Sequence, residues 1–173
     1  MSVDLRGLRV TGQRLRDLKR DVPEIMEQLA IGEGVYAVKQ AKRICKTEGI
    51  VNTGAYRMNF HAGNKAMIFD GDDDHDGSRP RRSGKAFLID VYNNLDYAGP
   101  LEFGFRSHFV PGHWSGHVFV YQPNDPAGGM YVGPYGGFVR GRFVLRRAIH
   151  RTKTTQDARL RRKAEKIIRD RLK

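Results

Sequence analysis

The stretch Asp70-Gly71-Asp72-Asp73-Asp74-His75-Asp76-Gly77 gathers the densest set of metal-liganding side chains in this sequence. Asp72, Asp74, Asp76 and Gly77 reproduce the opening of a calcium loop, with spaced carboxylates followed by a turn glycine. The position that calls for a bidentate Glu is Ser83, Pro80 interrupts the loop, and Arg79, Arg81 and Arg82 crowd it with positive charge. A solvated acidic–basic loop between two strands is the reading this favours. His108, His113 and His117 gather around Trp114. Two histidines four apart resemble a zinc-helix spacing, but Pro111, Gly112 and Gly116 oppose a helix, and no carboxylate is placed as third ligand. Loop packing or interface contact is expected there. The sequence contains no Gly-x-Ser-x-Gly elbow, no phosphate-binding Gly-x-x-x-x-Gly-Lys and no His-Glu-x-x-His. Nothing in it points to an enzyme, a metal or a cofactor. Cys45, the only cysteine, excludes an internal disulfide and any multi-cysteine zinc site, lies on an apolar helical stripe, and fits folding in a reducing cytoplasm.

Charge is the second source of chemistry. Of 173 residues, 31 are basic and 19 acidic, and the net +12 is not evenly spread. Residues 1–139 hold 17 basic and 16 acidic side chains, whereas residues 140–173 hold 14 basic and 3 acidic ones. The excess is carried by side chains such as Arg159, Arg161, Arg162, Lys163, Lys166 and Arg169 on a C-terminal helix. A focused basic face can hold DNA backbone by releasing counterions, dock an acidic neighbour, or simply stay solvated. No zinc finger, RNA-binding strand signature or heptad zipper accompanies it. No stretch is long or apolar enough to cross a bilayer, and the first six residues lack an apolar signal core.

These groups must be positioned by a small set of elements. Asp21-Val22-Pro23-Glu24 reads as a capped helix start. Val22, Ile25, Met26 and Leu29, then Ile31, Val35, Val38, Ala41 and Cys45, form an apolar stripe whose phase shifts at Gly32 and Gly34. One amphipathic helix over about residues 22–46 is predicted, with a bend or close packing at the glycines and Leu15 and Leu18 in an earlier turn. Tyr56, Met58 and Phe60 alternate as in a strand, Gly63-Asn64 suits a tight turn, and Lys65 to Asp70 would return as a hairpin. Ala86 to Tyr92 and His117 to Tyr121 read as further strands. Residues of about 104–142, rich in Gly, Pro and aromatics, read as extended loops around a small hairpin. Helical period returns from Phe143, with Thr154 or Thr155 capping a last helix over about 155–173 in which Leu160, Ala164, Ile167, Ile168 and Leu172 form the apolar stripe. At 39% hydrophobic residues, part of the chain is expected outside a compact core. A single α+β domain over 1–173 follows: a small, mainly antiparallel sheet packed by the long N-terminal helix and C-terminal helices.

Several motifs in order resemble a known family, the small neck and tail-component proteins of long-tailed bacteriophages and prophages, described as head–tail joining or tail-completion proteins. The motifs are Thr53-Gly54-Ala55-Tyr56-Arg57 after the long helix, Tyr97-Ala98 leading into Leu101-Glu102-Phe103-Gly104, Phe109-Val110-Pro111-Gly112-His113-Trp114, and Gly129-Met130-Tyr131-Val132-Gly133 before a basic terminal helix. They span roughly residues 10–170; the acidic loop is not among them. The resemblance implies a structural virion protein made in the host bacterial cytoplasm. It would form a homo-oligomeric ring, of six copies, in the neck between the head-completion and tail-tube proteins. Thr53, Gly54, Arg57, Tyr97, Glu102, Phe103, Gly104 and Trp114 then become interface or fold-motif candidates. A tail-terminator ring and a sequence-independent nucleic-acid-binding protein are the alternatives.

Overall fold

The apolar stripe beginning at Val22 belongs to a longer helix than its capping signals predict. The computed structural model describes residues 6–50, 54–67, 69–126 and 128–172. Its elements are, in order, α1 (Arg6–Thr47), α2 (Ala55–Met58), β1 (Phe60–Gly63), β2 (Arg81–Ser83), β3 (Ala86–Leu88), β4 (Asp90–Asn93), α3 (Ala98–Phe103), β5 (Gly104–Arg106), β6 (His108–Ser115), β7 (Val118–Tyr121), β8 (Gly129–Val132), β9 (Phe138–Arg140) and α4 (Val144–Leu172). The fold is α+β, with the long N-terminal helix packed on the C-terminal helix and the strands in small antiparallel sheets. Two compact units share the chain: one holds α1, α2, β1–β4 and α4, and the other is Asp96–Phe143.

Pro23 lies inside α1 and not in its first turn, which corrects the expected start at Asp21. A mid-helix proline removes one backbone hydrogen bond and costs about 3 kcal/mol, so packing elsewhere must hold the helix through it. That packing is an antiparallel pairing with α4. Arg147 binds Glu48, Arg159 binds Glu33, Arg171 binds Asp21, and Arg14 donates to the Leu172 carbonyl at 2.7 Å. Asp21 therefore serves α4 and not a helix cap. The last helix likewise starts before its predicted cap: the Thr154 and Thr155 hydroxyls donate to the Arg151 carbonyl at 2.9 and 3.3 Å. Satisfied on the preceding turn, these threonines continue the helix instead of beginning one.

The core of this unit is the inner face of α1 (Leu29, Ala37, Val38, Ala41, Ile44 and Cys45) with Tyr56, Phe60, Ala62, Tyr92, Val144 and Ala148. Cys45 is fully buried in it, as its place on the stripe predicts. The helix passes through Gly32 and Gly34 unbroken, and Gly34 is the close-packing point: a Cβ there would stand 2.9 Å from Ala62 Cβ and 3.1 Å from Ile89 Cδ1.

The strand order departs from the local hairpin expected at Gly63-Asn64. Tyr56 and Met58 lie on the single turn α2, and only Phe60 enters β1. β1 pairs antiparallel with β4, in the register Phe60↔Asn93 to Gly63↔Asp90, and Lys65 to Asp70 contributes no strand among the described residues. The predicted strand over Ala86 to Tyr92 is present but divided at Ile89 into β3, paired with β2, and β4.

The small hairpin and the strand expected near His117 to Tyr121 are present as β6–β7, but residues 104–142 hold further strands where extended loops are expected. β5 pairs with β9, and β6 is the centre of a β7-β6-β8 sheet. The glycines disguise it: the Phe119 ring lies over Gly112 and the Phe109 ring over Gly129, so an aromatic from the neighbouring strand fills each missing side chain.

Replacing Gly34 by Ala gains about 1 kcal/mol of helix propensity but drives a methyl against the Ala62 methyl of β1 and the Ile89 side chain, an overpacking that costs about 1–3 kcal/mol. Urea unfolding of Gly34→Ala is expected to show a net loss of stability, whereas a gain would mean that β1 yields freely.

Candidate interaction surfaces

The acidic loop is built into the fold by one of its carboxylates. Asp76 is buried and accepts hydrogen bonds from Tyr92 Oη at 2.7 Å, from the Asn64 amide at 2.7 Å, and from the Ser78 amide and hydroxyl at 2.8 and 2.5 Å. It reaches this position because Gly63 has φ 151 and no side chain: any Cβ there would collide with the Asp76 carboxylate. Gly63 therefore admits a carboxylate instead of turning a hairpin. Nearby, Ala62 N donates to Asp74 O at 2.8 Å, Lys42 pairs with Asp74 at 2.7 Å, and buried His61 sets Nδ1 2.8 Å from the Asp73 carbonyl. Two of the calcium-like positions, Asp74 and Asp76, thus have other work, and Asp70, Asp72 and Asp73 remain as the solvated carboxylates expected there. Burial pushes the Asp76 carboxyl up, but the hydrogen bonds from Ser78, Tyr92 and Asn64 outweigh it and hold it down at about 2. Burial and the same contact push the Tyr92 phenol up.

The three histidines do not converge. His113 on β6 pairs with Asp125, His108 sets Nδ1 3.2 Å from the Arg106 carbonyl, and His117 sits exposed in the β6–β7 turn. Among the described residues, no group of three or more His, Cys, Asp or Glu is placed to hold a metal ion.

The basic helix divides into two sets. Arg159 faces inward: its side chain is 13% exposed, donates to both Glu33 carboxylate oxygens from Nε and Nη2, donates to Thr152 O at 3.1 Å, and stacks 3.7 Å over the Tyr36 ring. The Glu33 contact raises its already high pKa. Lys163 lies 3.7 Å from the same carboxylate. Arg159 is therefore an internal tie and not a contact for DNA or an acidic partner, because an ion pair withdrawn from water leaves no charge to offer. Arg161, Arg162, Lys166 and Arg169 are exposed, and Arg161 has only a 3.8 Å contact with Glu165. Glu33 was missed in the sequence, yet it falls on the α1 stripe between Leu29 and Ala37, where a carboxylate demands a partner.

No protein-family model, curated protein or solved structure matches this chain. Its own geometry carries the functional reading.

The motif residues fall in different settings. Thr53 lies outside the described residues. Gly54 precedes α2 with φ 85, and Arg57 is half-buried on α2. In the other unit Glu102 is buried on α3, and its carbonyl accepts the Phe143 amide at 3.1 Å while the Leu101 carbonyl accepts that of Arg142 at 2.8 Å. Gly104, with φ 86, lets β5 approach β9 so closely that a Cβ would strike the Val139 carbonyl. The Glu-Phe-Gly motif thus forms a tight backbone junction. Tyr97, Phe103 and Trp114 are exposed.

They have company. Ten large hydrophobic side chains of Asp96–Phe143 are between 40% and 81% exposed, while no hydrophobic residue of this unit is buried among those described. The other unit holds all of the buried apolar core. It also carries an open, mainly apolar groove of about 590 Å³ whose walls include Met26, Leu29, Phe87, Leu88 and Leu160.

Two measurements follow. Because the carboxyl of Asp76 titrates lower in the fold than its ordinary 3.8, its contribution of about 2 kcal/mol is present above about pH 4 and is lost as pH falls toward 2. Urea unfolding across that range is expected to show this slope, with a shallower one in Asp76→Asn; identical slopes would remove the role given to Asp76. Arg159→Ala leaves Glu33 without its main partner and is expected to cost about 3–5 kcal/mol. Arg159→Leu combined with Glu33→Leu is expected to be markedly less harmful by the same assay, and strict additivity would count against the pair acting as a unit.

Proposed function

We propose that this chain is a structural subunit of the bacteriophage head–tail junction, a neck or tail-completion protein that assembles with copies of itself and with neighbouring head-completion, terminator or tube proteins. The observation that carries the reading is the aromatic unit at Asp96–Phe143, in which ten large apolar side chains are exposed and none of the described hydrophobic residues is buried. Exposed apolar surface on this scale marks a protein–protein contact, and its aromatic richness with few charges has the composition of an interface core. The motif order that resembles the neck proteins runs through this same unit, at Glu102 to Gly104, Phe109 to Trp114 and Gly129 to Gly133. The work of such a subunit is mechanical: completing the tail end, docking it to the filled head, and lining a channel for the genome. No cofactor enters it. Among the described residues no helix is long and apolar enough to cross a membrane.

A second reading, sequence-independent nucleic-acid binding, draws on the outward side chains Arg161, Arg162, Lys166 and Arg169. On the structural reading, the same cations touch DNA passing through the channel or dock an acidic ring, without reading sequence.

Electron microscopy of lysates from the parent phage with an early stop codon in this gene tests the proposal. Full heads beside separate tails of normal length are expected. Overlong tubes would assign the chain as a tail terminator instead. Intact infectious particles would overturn the junction role and leave salt-sensitive DNA affinity of the isolated protein as the next measurement.

A further inference from the structure

The aromatic unit has two distinct sticky faces. On one half of β6, Phe109 pairs with Tyr131 of β8 at 5.5 Å between ring centroids, and Tyr131 contacts Tyr135 at 4.7 Å. On the other half, Trp114 pairs with Phe119 of β7 at 5.4 Å, with Tyr121 two residues further along the same strand. Phe109 and Trp114 are five residues apart on one strand, an odd spacing that directs them to opposite faces of the ribbon. Val118 and Val120 alternate with Phe119 and Tyr121, so the face that carries Phe109 and Tyr131 is extended by the two valines. Both faces are open: Phe109 and Tyr131 are 50% and 49% exposed, Trp114 and Tyr121 61% and 63%.

We propose that this ribbon is the contact through which copies of the chain join head to tail, the Trp114–Phe119–Tyr121 face of one copy covering the Phe109–Tyr131–Tyr135 face of the next. Three observations select a second copy as the occupant. The first is area: at these exposures, side chains that bury about 150–250 Å² each when covered present on the order of 1000 Å² over the two faces together, so one head-to-tail contact, which joins one face of each copy, reaches the roughly 1000 Å² in total that a specific interface needs. The second is charge. Asp96–Phe143 holds three basic and three acidic residues, so the whole +12 belongs to the other unit. Copies of a strongly basic chain repel through most of their surface, and this neutral ribbon is where they can meet. The same neutrality disfavours single-stranded nucleic acid, whose stacking platforms lie in basic grooves. The third is that the two faces are unlike and lie on one thin sheet, so covering both takes two partners. A contact between unlike faces is heterologous, and where its rotation closes it builds a ring.

This deepens the structural-subunit reading, but it is tested on the purified full chain, apart from any particle. Sedimentation velocity of the wild type is expected to show concentration-dependent association, with Trp114, the only tryptophan, losing access to iodide as copies join. Trp114→Lys and Tyr131→Lys each block one face and are expected to be monomeric alone, whereas their equimolar mixture forms a one-to-one dimer through the two intact faces. In that mixture the remaining tryptophan, on the Tyr131→Lys copy, is again shielded. Trp114→Phe and Tyr131→Phe are expected to associate like the wild type. A wild type that stays monomeric with its tryptophan fully quenchable would overturn the proposal while leaving the junction role to the stop-codon experiment. Dimers of either lysine variant alone would replace it with like-face pairing. A monomeric mixture from an associating wild type would overturn the head-to-tail arrangement, and tryptophan shielding only on adding single-stranded DNA would make the ribbon a nucleic-acid platform.

Discussion

The larger unit depends on the antiparallel pairing of α1 with α4, and the Glu33–Arg159 ion pair is the fixed point of that pairing. Helices of 42 and 29 residues can slide against one another along a mainly apolar seam at little energetic difference. A carboxylate and a guanidinium removed from water cannot slide freely, because each loses its main charged partner. With Glu33 opposite Arg159, the Glu48–Arg147 and Asp21–Arg171 pairs fall into place toward the two ends. The same register carries α1 through Pro23, where isolated helix propensity would stop it. It also determines which basic residues turn inward: Arg159 is withdrawn as a tie, while Arg161, Arg162, Lys166 and Arg169 are among the exposed basic residues of α4 that the surface can offer a partner.

A second constraint, the Asp76 carboxylate, organises the strands. Asp76 sits among Tyr92 of β4, the amide following β1, and its own loop, so it joins the acidic segment to both strands of the β1–β4 pair. Gly63 is required beside it and Gly34 behind the sheet, one admitting a side chain and the other a strand. The loop whose composition suggests a calcium site is therefore fastened internally by one carboxylate and by the Lys42–Asp74 pair.

The two units follow opposite packing rules. The unit built on α1 and α4 buries its apolar residues around Val38, Ile44, Phe60 and Val144. Asp96–Phe143 keeps its backbone satisfied by strand pairing and tight glycine approaches, yet leaves its aromatics open. Exposed apolar surface of this kind is what a partner would cover. On the proposed reading, assembly would supply the missing half of this unit's core, which is the physical argument for the chain as a building block.

Periodicity alone determined the long N-terminal amphipathic helix, the buried place of Cys45, the strands near Ala86 to Tyr92 and His117 to Tyr121, the basic C-terminal helix and the α+β class. These are set by local propensity and by which face is apolar, and both are written in short windows of residues. Charge counting likewise located the basic surplus correctly. Only the tertiary structure decided that Arg159 turns inward while its neighbours turn outward, that Asp76 is internal while Asp72 is solvated, and that Gly63 admits a carboxylate. Each depends on a partner from a distant part of the chain, Glu33 and Tyr92 being two of them. The other strands between Gly104 and Arg142 were hidden for a related reason: aromatic rings from neighbouring strands stand in for the side chains their glycines lack, so the alternation exists in space and not along the sequence.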